Sequence, residues 1–503
     1  MEWNIETALA RVKAVLKEAR RYQHAVSVLN FDQETICPPA AMEEQGETIA
    51  FLGNQSFRLT KQEDFIQAAN DLYDHREELE PLDRAMAESL RRTYDKTKDL
   101  TPELEHAHAL VYQKGFVDWL KAKEQGAFDL FAPSLKAVRA AQLEEIELRE
   151  NRLPDTYDEM LSDYERGITR ADLDKCFDAC KARLIPLLRR IQASPKQIRT
   201  DFLSRTVTDE SQKKMAEYLL HTIGFDFNRG TFATTEHPFT DGLARDDVRV
   251  TTHYYPDQFA SNMYSIIHEG GHALFEQLTP AEHHDHFVSG DKTMGQHESV
   301  SRFYENIIGR SEAFVHLIYP NVCEIFPEVM ADVTERELYE ALNVVRPSLI
   351  RTEADEFTYT FHIIIRYEME KMIVDGTAAL EDLPRIWNEK YREYLGVTPE
   401  NHREGILQDV HWSSGFGYFP TYALGNLYNA MYYNRMKEDF DVPAAVGAGD
   451  FGKINGWMRE HVFQKADVLS PKQWLREVTG RELTTEDFLD YLEEKYSRLY
   501  ELN

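Results

Sequence analysis

The stretch Ile267-His268-Glu269-Gly270-Gly271-His272-Ala273 sets two histidines four residues apart inside an apolar run of helical period. Phe259, Met263, Ile266 and Ile267 lead into it at spacings of three and four. Leu274 and Phe275 continue the same side, and Thr279-Pro280 ends the run after a start near Pro256-Asp257. The pattern predicts a buried helix carrying both imidazoles on one face, one turn apart, where they can reach a single metal ion. Glu269, next after the first histidine, is placed to hold a metal-bound water and take its proton, which is what a zinc peptidase needs. Gly270 and Gly271 each cost about 1 kcal/mol in a helix interior. That penalty implies a close approach to this backbone, by a substrate chain or by a crossing helix.

An HExxH of this kind arises by chance in about one chain of this size in fifteen, so its context has to carry the reading. A hydrolytic zinc site needs a third protein ligand and an open position. The metzincin spacing would put Gly and His where this chain has Phe275 and Leu278, which excludes that subclass. Two sources of the third ligand remain. One is the cluster His283, His284 and His286 just past Pro280. The other is Glu298, at the head of a second amphipathic run whose buried side is Val300, Phe303, Ile307 and Ile308. Glu298 is favoured, because a Glu projecting from a second helix is a common solution and a His-rich loop is usually solvated. Glu305, about two turns further, could orient a ligand histidine from behind or serve only as a surface ion-pair partner.

Five further segments recur in order around the HExxH: His237-Pro238-Phe239, Asp247-Val248-Arg249-Val250-Thr251, His297-Glu298-Ser299, Ile350-Arg351-Thr352-Glu353-Ala354-Asp355, and Gly405-Ile406-Leu407-Gln408-Asp409-Val410-His411-Trp412. In these the chain resembles the carboxypeptidase Taq family of zinc carboxypeptidases. Val300 departs from the pattern, since many members carry Gln there. The resemblance implies a metal site of His268, His272 and Glu298, broad specificity and a homodimer. It also implies two lobes flanking a deep central groove with zinc on its floor, and N-terminal helices, residues 1 to about 110, narrowing the entrance.

These segments have separate chemical uses. A carboxypeptidase must recognise a free C-terminal carboxylate, and the planar fork of arginine can donate two parallel hydrogen bonds to it. Arg249 and Arg351 are the candidates, with Asp247 and Asp355 placed to hold or neutralise their guanidiniums. The oxyanion formed during hydrolysis needs donors besides the metal, for which His411, Tyr418 and Tyr422 are the choice. Gly415, Gly417 and Pro420 favour an irregular turn over a helix there. His237 could hydrogen-bond substrate backbone, or only mark a turn before Pro238.

Composition bounds the rest. No linker, repeat or low-complexity tract divides the 503 residues, which predicts a single catalytic unit. Only 24 Gly and 19 Pro, with Leu, Ala, Glu, Lys and Arg at helical spacing, predict a mainly α fold. The clearest strand signal, Val248 to Tyr255, predicts a small β-sheet beside the HExxH helix, whose edge could bind substrate backbone as an added strand. A formal charge of −30 argues against a nucleic-acid partner. No apolar run approaches the roughly 18 residues that cross a bilayer, and the first residues are acidic rather than signal-like. Four cysteines without a CxxC pair read as reduced thiols of a cytoplasmic protein. Mixed His and Glu sites accept several divalent ions, so cobalt could substitute for zinc. Two rival readings are an oligopeptidase or dipeptidase without a carboxylate clamp, and a helical peptide-binding protein with an inactive HExxH.

Overall fold

From Ile5 to Ile223 the chain runs as one helix after another, joined by turns and short 3-10 segments. The computed structural model describes residues 4–235 and 237–502. The helix Pro102–Gln125 illustrates how sequence sets the ends: the Thr101 side chain accepts from Leu104 N, Pro102 occupies the first turn, and Gly126 closes the helix at φ 66°. The mainly α reading holds, with a single small sheet among the described residues.

Two apolar cores form. The larger joins residues from Trp119 to Tyr500. The smaller belongs to the N-terminal helices and gathers Ala8, Val12, Val15, Phe65, Leu72, Leu79 and Met86 around Val288. Val288 comes from the loop after the HExxH helix, so the N-terminal cap is packed onto the body through that loop. Polar contacts fasten it further: His286 Nδ1 lies 2.7 Å from Asp83 Oδ1, and Arg20 donates to the His284 carbonyl at 2.7 Å.

The sheet has the order β1-β3-β2, with β1 (Gly230–Thr234) parallel and β2 (Thr240–Ala244) antiparallel to the central β3 (Asp247–Thr252). The observed strand stops at Thr252, short of the expected Tyr255. Val248 and Val250 are fully buried on one face, which packs on the HExxH helix. Alternation turns Arg249 to the other face, opposite Asp241 of β2 and toward the N-terminal helix Ile5–Thr35.

The HExxH helix is Phe259–Leu278, close to the predicted span, and every apolar residue named above for it is buried. Both glycines meet crossing helices rather than substrate. A Cβ on Gly270 would stand 2.6 Å from Ile223 Cδ1, and one on Gly271 would stand 2.8 Å from Ser301 Cα. The second partner lies on the helix Met294–Arg302, which carries Glu298 and continues directly into a π-helical turn, Phe303–Ile308, carrying Glu305.

Candidate active site and metal centre

The close crossing at Gly271 brings the two helices together where their functional side chains meet. One ligand atom each from His268, His272 and Glu298 lies within 4.8 Å of the others. Glu298 Oε2 is 3.6 Å from His268 Nε2 and 3.5 Å from His272 Nε2. Ligands at about 2.1 Å from a tetrahedral zinc stand about 3.4 Å apart, close to the two separations measured from Glu298 Oε2. Glu298 is backed by the helix Pro420–Asp439, where a Cβ on Gly425 would stand 2.9 Å from Glu298 Cγ.

Each candidate ligand is oriented from behind. His268 Nδ1 lies 2.8 Å from Glu305 Oε2, which leaves Nε2 as the nitrogen facing the site. Glu305 therefore touches a candidate ligand histidine rather than solvent. Its place in a π-turn fits the tendency of such turns to aim functional groups. Arg302 spans both acids, with Nε 2.7 Å from Glu298 Oε1 and Nη1 3.2 Å from Glu305 Oε2. Burial would raise the Glu298 carboxyl, but Arg302 and the two histidines hold it well below the usual carboxylate range. Burial likewise opposes a charged His268, yet Glu298 and Glu305 leave its pKa raised. Behind His272, its Nδ1 meets Nδ1 of His297, whose Nε2 lies 2.8 Å from Glu276 Oε1. Burial, with His272 beside it, pushes His297 down to about 4. A neutral His297 that donates from Nε2 to Glu276 can then accept from His272 Nδ1, freeing His272 Nε2 for the site.

Glu269, next to His268 in the helix, is buried. Thr240 Oγ1 lies 2.7 Å from Glu269 Oε2 and 2.9 Å from its backbone carbonyl. Thr240 opens β2, an outer strand of the sheet, so that strand begins beside the Glu269 carboxylate. His237 is exposed in the β1–β2 connection, where its carbonyl accepts from Thr235 Oγ1 at 2.7 Å. Two residues on, Phe239 is tied to Thr251 of β3, with Thr251 N donating to its carbonyl at 2.8 Å. Phe31 of the N-terminal helix then packs edge-on against Phe239, ring centroids 5.8 Å apart.

The two arginines differ in how they are neutralised. Arg249 is held by Asp247 through a double contact of 2.9 Å and 2.9 Å, with Asp241 opposite, so carboxylates outnumber it. Arg351 does not pair with Asp355. Asp355 caps the following turn instead, accepting from Phe357 N and Thr358 N at 3.0 Å each. Arg351 meets Asp409 Oδ1 at 2.9 Å, and Arg366, itself fully buried, meets Asp409 Oδ2. Two guanidiniums share one carboxylate, so this ion-pair cluster keeps one positive charge. Arg351 also donates to Tyr359 OH at 3.2 Å and lies 4.9 Å from the Tyr422 ring centroid. Tyr359 in turn carries Arg302 over its ring at 4.0 Å, which links the cluster to Glu298.

His411 and Tyr422 complete that wall, with His411 Nε2 3.3 Å from Tyr422 OH and the Tyr418 and Tyr422 ring centroids 5.3 Å apart. Burial pushes His411 down to about 4 and Tyr422 well above its ordinary value, so both are neutral near pH 7. The expected irregular turn covers residues 411–419, with Gly415 and Gly417 at φ 138° and 98°. Tyr422, however, lies in the first turn of the Pro420–Asp439 helix, because proline is well suited to begin a helix.

The His283 cluster stays away from the triad: His283 Nδ1 is 2.8 Å from Asp467 Oδ2, while His286 is bound to the cap. Thr240, His297, Arg302, Tyr359 and Asp409 were not singled out from sequence. His297 and Asp409 lie within the quoted motifs, but nothing in the spacing assigns them partners. A cavity of about 450 Å³ at the far end of the HExxH helix is lined by Arg229, Arg245, Asp246, Gln277 and Arg459. It holds none of the site residues, and the Arg229 donors are committed to Asp246, the Gln277 carbonyl and the Arg245 carbonyl.

The family model for the carboxypeptidase Taq (M32) metallopeptidases matches residues 11–496. Carboxypeptidase 1 of Bacillus subtilis is 37% identical over 495 residues, covering 97% of each chain. Thermostable carboxypeptidase 1 of Pyrococcus furiosus is 33% identical over 500 residues, covering 96% of this chain and 98% of that one. The crystal structure of the M32 carboxypeptidase from Deinococcus radiodurans superposes with a TM-score of 0.95 at 30% identity, covering 99% of this chain and all of the other.

Proposed function

Because this chain belongs to the carboxypeptidase Taq (M32) metallopeptidase family, we propose that it is a zinc-dependent carboxypeptidase of broad specificity that removes single amino acids from free peptide C-termini. His268, His272 and Glu298 hold the metal, an assignment supported by the convergence of one ligand atom from each within 4.8 Å. When bound, the ion supplies Lewis acidity to a water and to the scissile carbonyl, a use that cobalt could also serve.

The chain's own residues do the rest. Glu269, its carboxylate aimed by Thr240, takes the proton of the attacking water and passes one to the leaving amine. Tyr422 and His411, with Tyr418 beside them, donate to the oxyanion. His237 and the β2 edge hold substrate backbone. The observation that carries the exopeptidase reading is the surplus positive charge of Arg351 and Arg366 around Asp409, on the wall that reaches Glu298 through Tyr359. A substrate C-terminal carboxylate restores neutrality there. Arg249, already outnumbered by Asp247 and Asp241, is the weaker clamp and a better contact for substrate further along the groove.

The N-terminal helices narrow the groove entrance, a role supported by the contact of Phe31 with Phe239 and by its position 5.2 Å from the Arg249 guanidinium carbon. Exposed Leu110, Phe116, Val117 and Leu120 on one helix offer an apolar face to a second copy in a homodimer. A cytoplasmic location agrees with four free cysteines and with the lack, among the described residues, of a helix long and apolar enough to cross a membrane.

The test compares amino-acid release from an unmodified peptide and from its C-terminal amide. Stepwise release from the free acid alone supports the proposal. Internal cleavage of both would favour an oligopeptidase with the same metal site, and no release from either would favour a peptide-binding protein.

A further inference from the structure

Glu370 has no place in the chemistry above, yet it is fully buried on the helix Tyr359–Asp375 with no cation bonded to it. Its carboxylate accepts three hydrogen bonds: Tyr157 OH at 2.7 Å and Gly417 N at 3.2 Å on Oε2, and Trp412 Nε1 at 3.1 Å on Oε1. Trp412 directly follows His411, and Gly417 directly precedes Tyr418. One carboxylate thus grips both ends of the irregular turn that carries two of the proposed oxyanion donors. Gly417 is wedged in place, since a Cβ there would stand 2.8 Å from the Met160 backbone.

We propose that ionised Glu370 is a positioning residue that sets His411 and Tyr418 for catalysis, and that its protonation releases the turn. Trp412 Nε1 and Gly417 N can only donate, and Tyr157 OH is placed to donate, so the carboxylate form meets all three with charge-assisted bonds. A proton on Oε1 sets a donor against the Trp412 indole, and a proton on Oε2 is met only if the Tyr157 hydroxyl turns to accept; either way the charge that strengthens the grip on the turn is lost. The proposal rests on the peptidase reading for its catalytic consequence, but the coupling of Glu370 to Trp412 does not. Burial pushes Glu370 up to about 7, against the three hydrogen bonds that favour its charge. The titratable and charged groups facing it are Tyr157 and Tyr164, from the helix Thr156–Ser162 and the turn after it, and Arg366 on its own helix. Arg366 spends its donors on Asp409, the His362 carbonyl and Tyr391 OH. From the 411–417 turn come only the Trp412 and Gly417 N–H groups.

The experiment uses metal-loaded full-length protein with 15N-labelled tryptophan, six residues in all, and a free-acid peptide as substrate. The Trp412 indole signal, identified by its loss in Trp412→Phe, should titrate with a midpoint near neutral pH, and kcat should fall through the same range as pH drops. In Glu370→Gln the indole titration should vanish. At pH 8 its kcat should be about 10- to 100-fold lower, with KM and metal content little changed and the neutral-range fall absent. Tyr157→Phe removes one donor to the carboxylate, so it should move both titrations to higher pH, and it serves as the test if Glu370→Gln does not fold. An indole signal that does not titrate in the parent, or midpoints unmoved in Tyr157→Phe, overturns the proposal. So does a Glu370→Gln enzyme that retains the parent pH profile. A parent protein that releases nothing from the peptide but shows the Trp412 titration counts against the peptidase reading and for the Glu370 coupling.

Discussion

Gly271 of the HExxH helix lies so close to Ser301 of the Glu298 helix that an added Cβ would stand 2.8 Å from the Ser301 Cα and 3.1 Å from the Val300 carbonyl oxygen. The neighbouring atoms are backbone and cannot swing aside. The separation of His272 from Glu298 is therefore set by the absence of a side chain at position 271.

Gly271→Ala should lower stability by about 1–3 kcal/mol through overpacking, although alanine gains about 1 kcal/mol in helix propensity. Metal affinity should fall with it. Gly456→Ala, in a helix where an added Cβ meets nothing within 4 Å, is the control and should be neutral or stabilising. Urea unfolding and metal titration of both variants measure the contrast.

Glu269→Gln keeps the shape of the side chain and the contact with Thr240 but removes the proposed base. Amino-acid release should drop by about 10²- to 10⁴-fold with one metal still bound per chain. Loss of metal in parallel with activity would mean that Glu269 supports the ion instead.

The residues behind the ligands should show in metal affinity before they show in folding. Glu305→Gln and His297→Gln are each expected to weaken binding about 10- to 100-fold, since they free His268 and His272 respectively to rotate. Glu298→Ala should abolish tight binding. Competition with a chelator of known affinity ranks the three.

Arg351→Lys should cut kcat/KM for a free-acid peptide by about 10- to 100-fold, the equivalent of losing a charged hydrogen bond, and leave the poor turnover of the amide unchanged. Arg249→Lys should cost less on the free acid and affect acid and amide alike. Equal losses for the two variants would remove the distinction drawn from the shared Asp409.

Glu276 ties the support of His272 to Lys292, 3.1 Å away, which is ion-paired to buried Asp467. Burial alone would raise Glu276, but Lys292 and His297 bring it down to about 2 from an ordinary 4.5. A carboxyl lowered on folding stabilises the fold above its unfolded pKa. That contribution is complete above about pH 5 and is lost as pH falls through about 4.5 toward 2. Urea unfolding followed from pH 6 to 3 should show the fall, and Glu276→Gln should flatten part of it.

Much of the site was legible along the chain. The HExxH helix, its apolar side and its end at Thr279 follow from a period of 3.6, and the second helix announces itself by Val300, Phe303, Ile307 and Ile308. The pairing of Arg249 with Asp247 lies within one strand and could be anticipated. The pairing of Arg351 could not: Asp355 is four residues away in sequence, yet the partner is Asp409, delivered by a different segment. Thr240 gave no signal at all, because a threonine opening a short strand looks the same whether it faces solvent or a buried carboxylate.

Sequence alone determined which residue types could bind a metal, which helix carries them and that the fold is mainly helical, because helical periodicity and ligand spacing are local properties of the chain. Only the tertiary structure decided that Glu298 rather than the His283 cluster meets the two histidines, that Arg351 and Arg366 share one acid, and that Glu370 grips the turn between His411 and Tyr418. Those outcomes depend on how closely helices cross and on which buried charges lack a second partner, and both are set by packing between segments distant in sequence.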